Sequence, residues 1–102
     1  MVAGYLGVLE RDGQPAGPGA RLVSGQFHDV VLAGEVAYRF PRDERSRRAL
    51  PARMALLAAL ATARLPVAIP APLDLAHLGR PLGSCYAAVS LVHGEPAKRR
   101  RG

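Results

Sequence analysis

The sequence predicts an α+β domain: an antiparallel sheet of about five strands with one main helix packed on it. Three observations lead there. Short runs rich in Val, Leu, Tyr and Phe, such as VVLA at 30–33 and VAYRF at 36–40, lie between glycine and proline turns. A single stretch with helical apolar spacing, within 51–61, interrupts them. With 102 residues and 49% apolar content, the chain has room for one core and buries about two thirds of its unfolded surface.

Residues 1–20 read as a flexible flank, in which the apolar segment 5–9 is a loose strand or disordered and the Gly, Pro and Asp of 12–19 make a mobile loop. Organised structure is expected over 21–96. Residues 21–24 make a first strand and 25–29 a loop. The runs 30–33 and 36–40, separated by Gly34-Glu35, read as a β-hairpin with a tight turn, and Arg39 falls near the end of its second strand. Residues 41–49 then make a charged connection. The helix starts at Pro51, because proline suits a first turn and is poorly tolerated once the carbonyl four residues back is helical. A start at Ser46 places Pro51 too deep. Leu56, Leu57, Leu60 and Ala61 form the helix's apolar stripe, and Arg64-Leu65-Pro66 ends it. Residues 73–78 and 84–92 give two more strands, joined by a turn at 79–83. The tail 97–102 is basic and disordered.

Fourteen basic against eight acidic residues leave a formal charge of +6, which favours anionic partners. Nucleic acid is not expected as the primary partner, since the chain has no Trp and the charge comes with neither helix-turn-helix nor zinc-finger spacing. The arginines at 42, 45, 47 and 48 read as a solvated connection. The lone Cys85 excludes an internal disulfide and reads as a buried, inert thiol. His28, His77 and His93 lack metal-ligand spacing with it, so no metal site is expected. No apolar run is long enough to cross a bilayer, and a cytoplasmic protein without membrane contact is the expectation.

The segments SGQFHD at 24–29, VAYRFPR at 36–42, LPARMALLAAL at 50–60 and PVAIPAP at 66–72, followed by 86–92 and Gly94-Glu95-Pro96, resemble in that order the start of the aminoglycoside phosphotransferase family. That family is similar in fold to protein kinases. The likeness runs from Arg21 to Pro96 and rests on the order of its pieces. It implies the N-terminal small lobe of a kinase-like domain whose cofactor is ATP or GTP, with magnesium entering only through a second lobe.

A phosphoryl-transfer site needs backbone donors and a cation near the phosphates. Gly25 lets the backbone approach a ligand closely, and Ser24, Gln26 and His28 add donors around it. The same loop also reads as a plain strand-to-strand turn. By the resemblance, Arg39 contacts the nucleotide phosphates, while the carbonyl of Ser90 and the amide of Val92 face the base edge in a hinge. Arg53 departs from the pattern, because it stands where the resemblance places a glutamate that pairs with the strand's basic residue. Two arginines cannot pair, so one must turn outward or find an acid such as Glu35, Asp43 or Glu44.

The resemblance further implies a second lobe carrying the catalytic aspartate, the magnesium ligands and the substrate pocket. No His, Asp and Asn at catalytic-loop spacing occur in this sequence. The expectation is therefore a small lobe from a truncated, frameshifted or split gene product, with a nucleotide and a separately encoded C-terminal lobe as candidate partners and no phosphate transfer by this polypeptide alone. Two other classes stay open. One is a non-catalytic interaction module that keeps the fold; the other is a small basic nucleic-acid-binding protein, whose affinity would fall steeply with salt.

Overall fold

The structure is a computed structural model that describes residues 2–15, 19–63 and 69–91. Its elements are α1 (Val2–Arg11), β1 (Arg21–Ser24), β2 (His28–Ala33), β3 (Val36–Pro41), α2 (Glu44–Ala61), β4 (Pro72–Asp74) and β5 (Ala87–Ser90). The strands form one antiparallel sheet in the order β1-β2-β3-β5-β4, which is the expected fold class. The expectation of one helix needs correction. Both faces of the sheet are covered, one by α1 and the other by α2.

The central hairpin follows the sequence closely. β2 and β3 pair from His28↔Pro41 to Ala33↔Val36, which leaves Gly34-Glu35 as the turn, with Gly34 at φ 61°. That left-handed backbone is open to glycine without steric cost. Alternation along the strands sends Val31, Ala33, Tyr38 and Phe40 to the α1 face, while Ala37 joins Leu50 and Met54 on the α2 face.

The loose strand expected near the N-terminus is instead α1. Gly4 and Gly7 lower intrinsic helix propensity, but both are exposed, and the residues between and after them anchor the helix. Tyr5 stacks on Phe40 with ring centroids 4.1 Å apart and donates its hydroxyl to Asp29 at 2.7 Å; Leu9 is fully buried. The helix closes with two reciprocal bonds, Gln14 N–H to the Leu9 carbonyl at 2.9 Å and Gly13 N–H to the Glu10 carbonyl at 3.0 Å, with Gly13 at φ 74°. This is a Schellman termination, which favours glycine at that position. Asp12, just past the helix, accepts from both terminal nitrogens of Arg80 at 2.8 and 3.2 Å and from the Tyr86 hydroxyl at 2.8 Å. The Arg80 guanidinium, and then Tyr86, hold its carboxyl below the usual carboxylate range.

α2 begins seven residues before the expected Pro51 start. Asp43 is its N-cap, accepting from the Ser46 amide at 2.7 Å, and Glu44 in the first turn pairs with Arg47 and Arg48. Those local interactions carry the helix through Pro51, which faces solvent and leaves only the Arg47 carbonyl without its helical donor. Residues 44–49 are therefore helix, not connection. The buried stripe is Ser46, Leu50 and Met54 with Leu57 packed beside it, whereas Leu56 and Ala61 are exposed. The helix is capped by Thr62, whose hydroxyl donates to the Ala59 carbonyl; the proposed terminator at 64–66 lies outside the described residues.

The last two strands are shorter than the sequence suggests. β4 covers only Pro72–Asp74, since the Asp74 carboxylate accepts from the Ala76 amide and turns the chain. β5 is bounded by a turn in which the Ser84 and Cys85 amides both donate to the Pro81 carbonyl. Cys85 is buried, as expected, and burial pushes its thiol pKa up. Among the described residues no helix is long and apolar enough to cross a membrane. The tail 97–102 lies outside the described residues.

Candidate functional site

The α2 face of the sheet carries Arg39. Residues directly opposite in an antiparallel sheet share a face, and the register aligns Val23, Val30, Arg39 and Ala87 in one row across four strands. The neighbouring row is Arg21, Leu32, Ala37 and Val89. Leu50 and Met54 cover the β3 and β5 end of these rows, while Val23 remains 47% exposed at the other end. An apolar surface thus runs from β1 toward a basic residue at the helix margin.

Arg39 stands at that margin as the sequence predicts. Its side chain is half-buried, and its Nε is buried without a hydrogen-bond partner. Burial lowers its pKa, and so does the charge of Arg53. Arg53 turns outward on α2 and is exposed, which is one of the two outcomes expected for a pair of arginines. Two of the acids named as alternative partners are engaged elsewhere: Asp43 caps the helix, and Glu44 binds Arg47 and Arg48.

His28 belongs to the same group. It pairs with Pro41 across the hairpin, is 5% exposed, and has its Nε2 buried without a partner. Burial, Arg39 and Arg53 depress its pKa from 6.5 to about 4, against weaker opposing pulls from Asp43 and Asp29. The imidazole is neutral at pH 7. A cleft of about 410 Å³ opens between the loop and α2, lined by Phe27, His28, Asp43, Arg45, Ser46 and Arg53 among others.

The loop at 25–27 is a tight reversal with its own internal bonds. Gly25 N–H donates to the His28 carbonyl at 2.8 Å, and a Cβ at Gly25 would lie 3.2 Å from that oxygen, which explains a glycine there. The Gly25 carbonyl accepts from Arg42 Nη1 at 2.6 Å, and the Arg42 amide donates to the Phe27 carbonyl at 3.1 Å. Arg42, read from sequence as part of a solvated connection, instead fastens this loop to the end of β3. Gln26 is exposed at the tip.

Two other predicted site residues point elsewhere. Ser24 pairs with Asp29 on the α1 face, and its hydroxyl helps to lower the Asp29 pKa after the larger effect of Tyr5. Ser90 bonds Ala71 twice, its amide donating to the Ala71 carbonyl and its hydroxyl accepting from the Ala71 amide, both at 2.9 Å. Its carbonyl is the group the hinge expectation names. Val92 lies outside the described residues. The structure therefore brings His28, Arg39 and Arg53 together, bonds Gly25 to the His28 carbonyl, leaves Gln26 exposed, and leaves the side chains of Ser24 and Ser90 apart. Among the described residues no cluster of His, Cys, Asp and Glu could hold a metal ion.

No protein-family model matches the sequence, and no curated protein matches it. The structure does match a solved one. It superposes on the crystal structure of the ADP-bound aminoglycoside phosphotransferase APH(2'')-Ib with a TM-score of 0.69 and 18% sequence identity, covering 93% of this chain and 30% of that one. The fold is that of a kinase-like small lobe. This chain spans less than a third of the phosphotransferase it matches, and the small lobe here has α1 on the outer face of its sheet and the His28, Arg39 and Arg53 group on the inner one.

Proposed function

We propose that this chain is the nucleotide-side lobe of a kinase-like small-molecule phosphotransferase. One observation carries the reading: Arg39 presents a half-buried guanidinium whose Nε has no hydrogen-bond partner, in one row of the sheet with Val30 and the exposed Val23, in a fold shared with an ADP-bound phosphotransferase. The base of ATP or GTP lies on that apolar row, and the planar fork of Arg39 meets the phosphates. A hinge contact at the Ser90 carbonyl and the Val92 amide holds the base edge. The catalytic base, the magnesium ligands and the substrate pocket come from a second lobe, joined or separately encoded, so the lobe alone transfers no phosphate.

Titrating ADP and GDP into isotope-labelled protein tests this. Saturable NMR shifts at Val23, Val30, Ala37 and Arg39, weakened in Arg39→Met, support the reading. No saturable shift with either nucleotide refutes it.

A second reading, a non-catalytic interaction module, draws on the exposed Leu73 in the edge strand β4 and Leu75 just after it. It predicts a defined complex that Leu73→Ser abolishes, with nucleotide having no effect.

A further inference from the structure

α1 covers one face of the sheet, and the loop at 25–27 borders the cleft beside α2 on the other, yet one carboxylate joins them. Asp29, on β2, is mostly buried, its side chain 14% exposed. One of its oxygens accepts from the Tyr5 hydroxyl of α1 at 2.7 Å, and the other lies 3.8 Å from Arg42 Nε. Arg42 Nη1 in turn donates to the Gly25 carbonyl at 2.6 Å, while the Arg42 amide donates to the Phe27 carbonyl at 3.1 Å. The contacts therefore run from Tyr5 through Asp29 and Arg42 to Gly25, from the helix to the loop.

Each link constrains the next. The Tyr5 ring is held by stacking on Phe40, with centroids 4.1 Å apart. Its hydroxyl makes a charge-assisted bond to the carboxylate, and that bond fixes which Asp29 oxygen faces Arg42. Without it the carboxylate is free to turn and take the guanidinium through two nitrogens, the geometry such pairs favour, which draws Nη1 off the Gly25 carbonyl. The Arg42 side chain is 48% exposed, so its ion pair adds little by itself; its hold on the loop depends on how the carboxylate beneath it is set. Both partners of the central bond reflect it. The Tyr5 pKa is pushed up to about 12, by burial first and then by Asp29, and the Asp29 carboxyl is held below its usual range, chiefly by Tyr5.

We propose that Tyr5 and Asp29 are positioning residues for the 25–27 loop: acting through Arg42, they make fastening of the loop conditional on the docking of α1. The helix is then a control element as well as a cover for the sheet. The coupling stands on the contacts above, and only its consequence for a nucleotide, a firmer hold when the loop is fastened, rests on the proposed function.

Amide hydrogen exchange followed by NMR in the full chain reads the loop directly, because the Gly25 and Arg42 amides both donate within the fastened loop. Tyr5→Phe keeps the ring on Phe40 and removes only the hydroxyl. It should speed exchange at Gly25 and at position 42 about fivefold, the net worth of one hydrogen bond, while the β3 amides within the sheet keep their rates. Asp29→Asn should do at least as much. In Arg42→Met, which already opens the loop, adding Tyr5→Phe should change these two rates by less than about twofold, since no link is left to carry the effect. A residue that only stabilised the fold would act in both backgrounds.

Unchanged loop exchange in both Tyr5→Phe and Asp29→Asn, equal acceleration over the whole sheet, or a full effect of Tyr5→Phe persisting in Arg42→Met would each overturn the coupling. Titration with ADP then separates the two proposals. Loop coupling without saturable ADP binding leaves the positioning role standing and refutes the nucleotide reading. ADP binding with loop exchange indifferent to Tyr5 and Asp29 overturns the positioning role and leaves the nucleotide reading intact. Where both hold, saturating ADP should slow exchange at Gly25 in Tyr5→Phe.

Discussion

Acid should strip stability from this protein through His28 before it does so through the carboxylates. The imidazole is 5% exposed and sits beside Arg39 and Arg53, so its folded-state pKa is near 4 against 6.5 when exposed to water. Between those values the unfolded chain binds a proton that the folded chain does not. Stability therefore rises with pH across this window: the contribution is fully present above about pH 6.5 and is lost progressively as pH falls toward the folded pKa. At about 1.4 kcal/mol per pH unit, moving from pH 7 to pH 5 should cost about 2 kcal/mol. The acids Asp12, Asp29, Asp43 and Asp74 all have depressed pKa values, so their contributions disappear only at lower pH. Urea unfolding followed by circular dichroism at pH 7 and pH 5, compared between wild type and His28→Gln, isolates the effect. The wild type should lose about 2 kcal/mol more than the variant across this range. Equal losses, or an imidazole titration in the folded protein centred near 6.5, would refute both the burial of His28 and its closeness to the two arginines.

Three further outcomes follow from particular contacts. Pro51→Ala supplies the amide that the Arg47 carbonyl lacks inside α2 and should raise the melting temperature, with a gain of up to about 3 kcal/mol; a lower melting temperature would mean that the helix does not run through this position. Leu9→Ala should cost about 2–5 kcal/mol because Leu9 is fully buried under α1, while Leu56→Ala, at a site 58% exposed, should cost under about 0.5 kcal/mol; equal costs in denaturant titration would place α1 off the sheet. Gly34→Ala meets no neighbouring atom but must hold φ at 61°, so a loss of about 1–2 kcal/mol is expected from the backbone alone. Gly34→Asn should lose less, and identical stabilities for all three proteins would argue against the two-residue turn.

The hairpin was legible because its information is local. A period of two, β-branched and aromatic residues, and a glycine at the turn all agree over 28–41, so register and faces follow without knowledge of distant residues. The start of α2 was misread because one strong local rule, proline in the first turn, outweighed a weaker but cumulative set: the Asp43 cap and the Glu44 pairs with Arg47 and Arg48. α1 was missed because Gly4 and Gly7 hide its periodicity, yet a signal was present. Gly13 after Glu10-Arg11-Asp12 is a helix C-terminus, and Tyr5, Val8 and Leu9 fall three and four residues apart.

The site divides in the same way. The sequence alone determined that Arg39 lies on a strand near its end, that glycine turns bound the hairpin, that Arg53 cannot pair with Arg39, and that one antiparallel sheet organises the chain. Each of these follows from residue type and spacing along a few neighbouring positions. Only the tertiary structure decided that Ser24 pairs with Asp29, that Arg42 fastens the loop, that His28 is buried within the charge influence of Arg39 and Arg53, and that a second helix covers the outer face. Those facts depend on which face each strand turns toward which helix, and on the desolvation that follows, quantities that exist only once segments far apart in the chain have packed together.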